Sequence, residues 1–199
     1  MRRTQWSLLM VLLAAPAFGQ ITGTYLLTST NAVSPSSATT TIGVWATWTD
    51  PGFPGFKFPF LFLSGDYDLT AGEGVFSNPV NVLQGPGSST GVIAGNVISG
   101  AANGQFHLPP LFVGSLDNPI LLATYDWTTT NFTPRTVSLD TSNTTSFMIL
   151  EWVVPNPGPW NLFPGGFSPG SGVINVVPAP AAWILVSLPF VAAARRRRS

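Results

Sequence analysis

Short stretches of alternating apolar and polar residues recur along the middle of the chain. In residues 41–50 every second side chain is apolar and falls on one face: Ile42, Val44, Ala46 and Trp48. The opposite face carries Trp45, Thr47 and Thr49. A period of two residues is typical of a β-strand with one face in a core. The pattern therefore predicts a half-buried strand.

Further segments have the same character. Residues 120–128 place four apolar side chains together, with Asp126 and Thr128 facing away: Leu121, Ala123, Tyr125 and Trp127. Residues 56–63 put phenylalanines on one side, and Pro59 on the other predicts an edge strand or a bulge because it cannot donate a ladder hydrogen bond. Residues 92–98, after a turn rich in Gly and Pro, are predicted as one strand.

Two strands are predicted near the end of this alternating region. Residues 135–141 and 146–154 have the pattern of consecutive antiparallel strands, and the second is apolar on both faces, as a central strand would be. Strands recur without an amphipathic helix between them. Lys, Glu, Arg and Gln, which favour helices, are scarce in the middle of the chain. The prediction is an all-β fold, an antiparallel β-sandwich resembling a jelly roll.

The N-terminus has the three regions of a secretory signal peptide. Arg2 and Arg3 give the positive region, and residues 6–15 give a short apolar segment. Ala17 and Gly19 place small residues before Gln20, which predicts cleavage by signal peptidase after residue 19. An uncleaved anchor is the alternative, but the apolar segment is too short to span a membrane.

The C-terminus combines three features. Val177, Pro178, Ala179 and Pro180 are followed by an apolar run of 14 residues, 181–194, and then by four arginines, 195–198. The run is shorter than the roughly 20 residues of an unstrained span, and Pro189 interrupts it. Arginines flanking such a segment stay on the cytoplasmic side. This favours a transient inner-membrane signal over the alternative, a permanent tail anchor.

This order of parts resembles the PEP-CTERM sorting signal of bacterial surface proteins, with Ala179 where the family usually has Glu. The resemblance implies an exosortase-type protease that cuts near the Pro motif, Val177 to Pro180. It also implies a cytoplasmic stop at Arg195, Arg196, Arg197 and Arg198. The expected destination is the cell envelope, cell surface or extracellular matrix.

The predicted organisation has four parts. They are a signal peptide at 1–19, a β-sandwich domain at 20–154, a linker rich in Pro and Gly at 155–176, and the sorting signal at 177–199. Six of the eight basic residues lie in the two termini, whereas all eight acidic residues lie between them. An acidic domain without clustered Lys and Arg excludes nucleic acid as a partner. The absence of cysteine excludes thiolate chemistry and disulfides.

Few residues point to chemistry. His107 is the chain's single histidine, without a Gly-x-Ser-x-Gly motif to suggest a triad, so we predict no catalytic residues. Asp66, Asp68 and Glu73 are candidate Ca²⁺ ligands, since hard cations prefer oxygen; ordinary solvated loop acids are the alternative. No other cofactor is predicted. Most tryptophans are expected in the core, and Trp160 is the one predicted to be exposed to a ligand.

The function implied by the resemblance is structural or adhesive, in association with exopolysaccharide. A glycan-binding, lectin-like module, with or without calcium, is the alternative. A small glycoside hydrolase using Asp66, Asp68 or Glu73 is a more distant one, because paired carboxylates can cleave a glycosidic bond.

Overall fold

A computed structural model describes residues 23–49, 56–85, 87–107, 117–144, 148–154, 161–164 and 168–178. Side chains are described in these ranges except for 56–62, 106–107, 148–154 and 161–164. The predicted signal peptide, the apolar C-terminal run and its arginines lie outside them, as does Trp160. No helix in the described ranges is long and apolar enough to cross a membrane.

The described chain is all-β. Its strands, in chain order, are β1 Gly23–Ser29, β2 Thr39–Trp48, β3 Phe56–Ala71, β4 Val75–Asn81, β5 Val92–Ala94, β6 Val97–His107, β7 Ile120–Thr128, β8 Arg135–Ser142, β9 Met148–Val154, β10 Asn161–Pro164 and β11 Ser171–Val176. They form two antiparallel sheets. Sheet I has the order β1-β2-β7-β4, and sheet II the order β10-β9-β3-β6-β5, with β8 paired to β3 and β11 to β8.

One apolar core joins the two sheets. Ile42 and Trp127 of sheet I are fully buried in the same cluster as Leu63, Leu139 and Ile174 of sheet II. The inward residues of β2 are those predicted from its alternation, and all are buried, while Trp45 and Thr47 on the opposite face are partly exposed. The period-two pattern therefore predicted which side of β2 enters the core.

A bulge in β7 changes one face of that strand. Val44 pairs with Ala123 but Trp45 pairs with Leu121, which leaves Leu122 as an extra residue. An extra residue shifts the alternation that follows it. Ala123, Tyr125 and Trp127 point inward as predicted, but the prediction is wrong for Leu121, which lies on the outer face while Leu122 is buried.

Residues 92–98 form a hairpin and not the single strand predicted. β5 and β6 pair antiparallel across Gly95 and Asn96. Gly95 has φ 62°, the positive value that a type II′ hairpin turn requires at its first central residue. The turn is held against β3 and β4 because Phe76 N–H donates to the Gly95 carbonyl at 2.9 Å, and Ala71 N–H donates to that of Asn96 at 2.9 Å.

β3 organises sheet II. Its register against β9 shifts between Lys57 and Leu61, a stretch that contains Pro59, in agreement with the predicted bulge. The prediction that residues 135–141 and 146–154 are consecutive antiparallel strands joined by a turn is wrong in one respect, because β8 and β9 do not pair with each other. Both pair with β3, β9 along Phe56 to Ser64 and β8 from Asp68 onward, because β3 is long enough to hold both end to end.

The C-terminal part of the predicted linker belongs to the fold. β10 pairs with β9, and β11 pairs with β8. Ile174 and Val176 are buried at 0% and 2% exposure. The Pro and Gly content of residues 155–176 predicted a loop, but the alternation within β11 supplies two core side chains. This prediction is therefore wrong for Asn161–Pro164 and Ser171–Val176.

β11 also contacts sheet I. Val33 N–H donates to the Asn175 carbonyl, and Val177 N–H donates to the Val33 carbonyl, both at 2.8 Å. Just before β11, Tyr25 N–H donates to Ser168 O at 3.2 Å. The last strand thus connects β8 of sheet II with β1 of sheet I.

Candidate functional site

The predicted cation ligands have separate structural partners. Asp66 and Asp68 lie on the outward side of β3, as their spacing predicted, because Tyr67 between them is buried. Asp68 Oδ1 accepts a hydrogen bond from Gly100 N–H at 2.7 Å, and Oδ2 accepts one from Asn143 Nδ2. Both donors have positive φ, 65° and 53°. Asp68 therefore fastens two sharp backbone bends to β3.

Glu73 is held elsewhere, in the connection from β3 to β4. Its carboxylate forms an ion pair with Arg135, whose guanidinium also donates to the carbonyls of Asn131 and Thr133. Trp127 Nε1 donates to the Glu73 carbonyl at 2.8 Å. No group of three His, Cys, Asp or Glu residues in the described part of the chain is arranged to hold a metal ion. The structure does not bring the three acids together, and calcium binding stays a prediction.

The tyrosines form a polar line through the core, which the sequence did not reveal. Tyr67 and Tyr125 share a hydrogen bond between their hydroxyls at 3.1 Å. Tyr125 OH donates to the Thr90 carbonyl at 3.2 Å, so Tyr67 is the donor to Tyr125. Tyr25 OH donates to the Asp66 carbonyl at 3.0 Å. Burial raises the pKa of all three hydroxyls above their ordinary value of 10.0.

The outer face of sheet I has the most distinctive surface chemistry. We call it the threonine face, and it consists of outward residues of β1, β2 and β7: Thr24, Leu26, Thr28, Thr39, Thr41, Gly43, Trp45, Thr47, Leu121, Thr124, Asp126 and Thr128. None of them is Lys or Arg, and Asp126 carries their single formal charge. A β-strand places successive outward residues about 7 Å apart, so hydroxyls recur at a regular spacing.

An indole lies in the middle of the threonine face. Trp45 is partly exposed, and its Nε1 donates to Thr28 Oγ1 at 3.0 Å. The ring lies next to Gly43, where a Cβ would come within 2.8 Å of Nε1. Gly43 is buried although it points outward, because the indole covers it. Leu26 and Leu121 flank Trp45 on the neighbouring strands and complete an apolar row.

A fixed carboxylate lies two rows from the indole. Asp126 Oδ1 accepts a hydrogen bond from Thr41 Oγ1 at 2.9 Å, and Oδ2 accepts one from Asn78 Nδ2 at 2.8 Å. These partners come from β2 and β4, on either side of β7. The carboxylate is therefore held in one orientation, and each of its oxygens has room to accept a further hydrogen bond.

A small open cavity lies at the other end of the face. Its volume is about 230 Å³, and four of its six lining residues carry a hydroxyl: Thr24, Thr47, Thr49 and Ser168, together with Gly23 and Trp48. Thr24 and Thr47 are paired across β1 and β2 and belong to both the cavity and the threonine face. The cavity therefore continues the face beyond Trp45.

The comparisons with known proteins gave no relative. No family model, no curated protein and no solved structure matches the chain. The site must therefore be interpreted from its own chemistry.

The sequence predicted the outward side of β2 but did not indicate that it is a candidate site. Trp45, Thr47 and Thr49 were predicted to lie opposite the core side of β2, and the first two do lie outward. Trp48 and Trp127 are buried at 8% and 0%, as expected of core tryptophans, while Trp152 and Trp160 have no described side chain. The alternation of Thr with apolar residues was the available signal. The alternation could not show that Asp126, far along the chain, lies beside Thr41, because that depends on the pairing of β2 with β7.

Proposed function

We propose that the protein is exported and sorted to the bacterial cell surface or matrix, where it has a structural or adhesive role associated with exopolysaccharide. The fold we propose is a jelly-roll-like sandwich, consistent with two sheets around one core. The signal-peptide pattern and the C-terminal motif are the basis for the proposed export and surface localisation. The domain itself supplies one supporting observation, which concerns the position of the end of β11.

The last described strand ends next to the motif. β11 ends at Val176, and Val177 and Pro178 are exposed at the domain surface. Val177 is still bonded through its N–H to the Val33 carbonyl. A protease acting near Pro180 would find the motif directly beside the folded domain, without the separate linker predicted from the sequence. A protein cleaved near Pro180 and attached there would have its folded domain close to the cell surface.

Intact mass spectrometry of the protein extracted from the cell surface tests this proposal. We expect a chain that starts at Gln20 and ends at or before Pro180, with or without an added mass from the attachment. A chain that retains residues 195–199 would refute sorting and favour the permanent tail anchor. An Arg195–Arg198 to Ala variant should fail to be processed, while a Lys57→Ala variant serves as a control for charge removal elsewhere.

The lectin-like alternative is favoured by the threonine face, because an indole and ordered hydroxyls are groups that contact sugars. The hydrolase alternative gains no support from its carboxylates. Glu73 is paired with Arg135, and Asp68 is occupied by two structural donors. Measured hydrolysis that is lost in Asp66→Ala and Glu73→Ala would reinstate it.

A further inference from the structure

We infer that the threonine face is a binding site for a neutral polysaccharide chain lying along β2. This rests on the proposed association with exopolysaccharide and names the surface and the class of glycan. The argument depends on the indole, the hydrogen-bonding groups on both sides of it, the charge of the face and its length.

The indole supplies a stacking surface that needs no rearrangement. Trp45 is partly exposed on the outer face of the sheet, and it is fixed by its bond to Thr28 and by the bare backbone of Gly43. A ring held in this way loses little conformational freedom when a partner stacks on it, which favours binding. Sugar rings present apolar C–H faces that suit an aromatic surface.

Polar groups lie on both sides of this ring. Asp126 and Thr41 lie towards one end of β2, and the hydroxyl-lined cavity lies towards the other. Asp126 is fixed by two neighbours, so it can accept hydrogen bonds from sugar hydroxyls without first being ordered. The cavity beside Thr24 and Thr47 has hydroxyls that both donate and accept.

The charge of the threonine face favours neutral glycans over anionic ones. It has no Lys or Arg to pair with a uronate or sulfate, and Asp126 would repel such a group. Six residues of strand separate Thr41 from Thr47, a distance of about 20 Å. This is long enough for several sugar rings in a row, with the apolar row of Leu26, Trp45 and Leu121 under the middle one. The ligand class is therefore an extended, uncharged glycan.

Affinity electrophoresis of the purified full-length protein tests the inference. Native gels would contain hydroxyethylcellulose, dextran or galactomannan as neutral probes and alginate as the anionic one. We expect retardation by at least one neutral polysaccharide and none by alginate. Trp45→Ala should weaken the apparent Kd on the order of 30-fold, as for a central aromatic contact. Val173→Ala, an exposed apolar change on sheet II, should have no effect.

Further variants separate binding from stability. If Trp45→Ala loses its cooperative urea transition, Asp126→Asn replaces it, with an expected loss of about tenfold. Retardation by alginate alone, or by no polysaccharide, would overturn the inference. So would a wild-type dimer in analytical ultracentrifugation that Trp45→Ala dissociates, since the face would then be an interface between copies. An intact C-terminal mass would contradict sorting while leaving the gel result unaffected.

Discussion

The two long sides of this two-sheet fold are closed in different ways. On one, which we call the glycine side, β11 lies between β1 and β8, and Gly170 and Gly172 bring its backbone against Tyr25 and Leu27. On the other, the valine side, the edges are β4 and β5, and several valines stay exposed: Val75, Val80, Val82 and Val92. β11 covers the first side by backbone contact, although its Val173 stays exposed, whereas the second side has two strand edges and more exposed valines.

An unpaired strand edge can pair with another chain, and the two sides prevent this in different ways. The glycine side covers the edge of β8 with another strand. The valine side keeps β4 as an edge, and Asn78, with φ 46°, and Pro79 interrupt its register against β7. Proline and a bulge discourage a further strand from pairing there. We therefore expect stability to depend strongly on the glycine side and weakly on the valine side.

The largest effect is expected from Gly170→Ala. A Cβ at this position would lie 2.0 Å from the Tyr25 carbonyl oxygen, and a backbone atom cannot move aside as a side chain can. We expect the free energy of unfolding in urea to fall by about 3 kcal/mol or more. Gly72→Ala is the matched control, because its nearest neighbour is the Ser138 hydroxyl at 3.2 Å. Equal losses in the two variants would contradict the importance of this side.

Alkaline pH should weaken both sides together. Burial raises the pKa of Tyr25, Tyr67 and Tyr125, so the unfolded chain loses these protons first, near pH 10.0. Stability is then full below that pH and falls as the pH rises above it, by about 1.4 kcal/mol per pH unit for each tyrosine. Urea midpoints measured between about pH 8 and 11 test this. A constant midpoint across that range would show that these hydroxyls ionise freely in the fold.

Removing single hydroxyls sharpens the comparison, because the hydrogen bonds of the tyrosine line lie inside the core and do not follow the contrast between the two sides. Tyr125→Phe leaves Tyr67 without its acceptor and the Thr90 carbonyl without its donor. We expect a loss of about 2 kcal/mol. Tyr25→Phe removes the bond to Asp66 O, and about 1 kcal/mol is expected. The reverse order in thermal or urea unfolding would argue against the tyrosine line as a linked unit.

The smallest effect is expected from an exposed valine. Val80 is 52% exposed, and Val80→Thr should change the free energy of unfolding by less than about 0.5 kcal/mol. Val176→Thr makes the same chemical change on the glycine side, where the side chain is 2% exposed, and should cost about 1 to 3 kcal/mol because it buries a hydroxyl. Similar losses of unfolding free energy in the two variants would contradict the proposed difference between the sides.

The sequence predicted what depends on nearby residues. The alternation of Ile42 and Val44 was enough to place β2 and its inward face. It could not predict the bulge at Leu122, which depends on how β7 pairs with β2. The hairpin at Gly95 and Asn96 had a usable signal in the Gly-Asn pair itself. β11 was missed because flanking Pro and Gly outweighed a short alternation.

The candidate site was less predictable than the fold. Glu73 had been grouped with Asp66 and Asp68 by proximity in the chain, but its partner, Arg135, lies in another strand. Trp45 was assigned to the outer side of β2 correctly. Its significance depends on Thr28 and Gly43 beside it, and on Asp126 brought alongside by β7. Residues distant in sequence make up the site, and alternation alone does not bring them together.

The position of β11 has a consequence for the order in which the chain matures. A ribosome makes β1 first and β11 last, yet these two strands must meet before the glycine side is complete. During synthesis Tyr25 and Leu27 would stay uncovered until residues 168–177 emerge. Truncated or stalled chains would then lack their closing strand and be open to proteolysis. Closure of the glycine side would therefore mark the point at which residues 23–177 have all been synthesised.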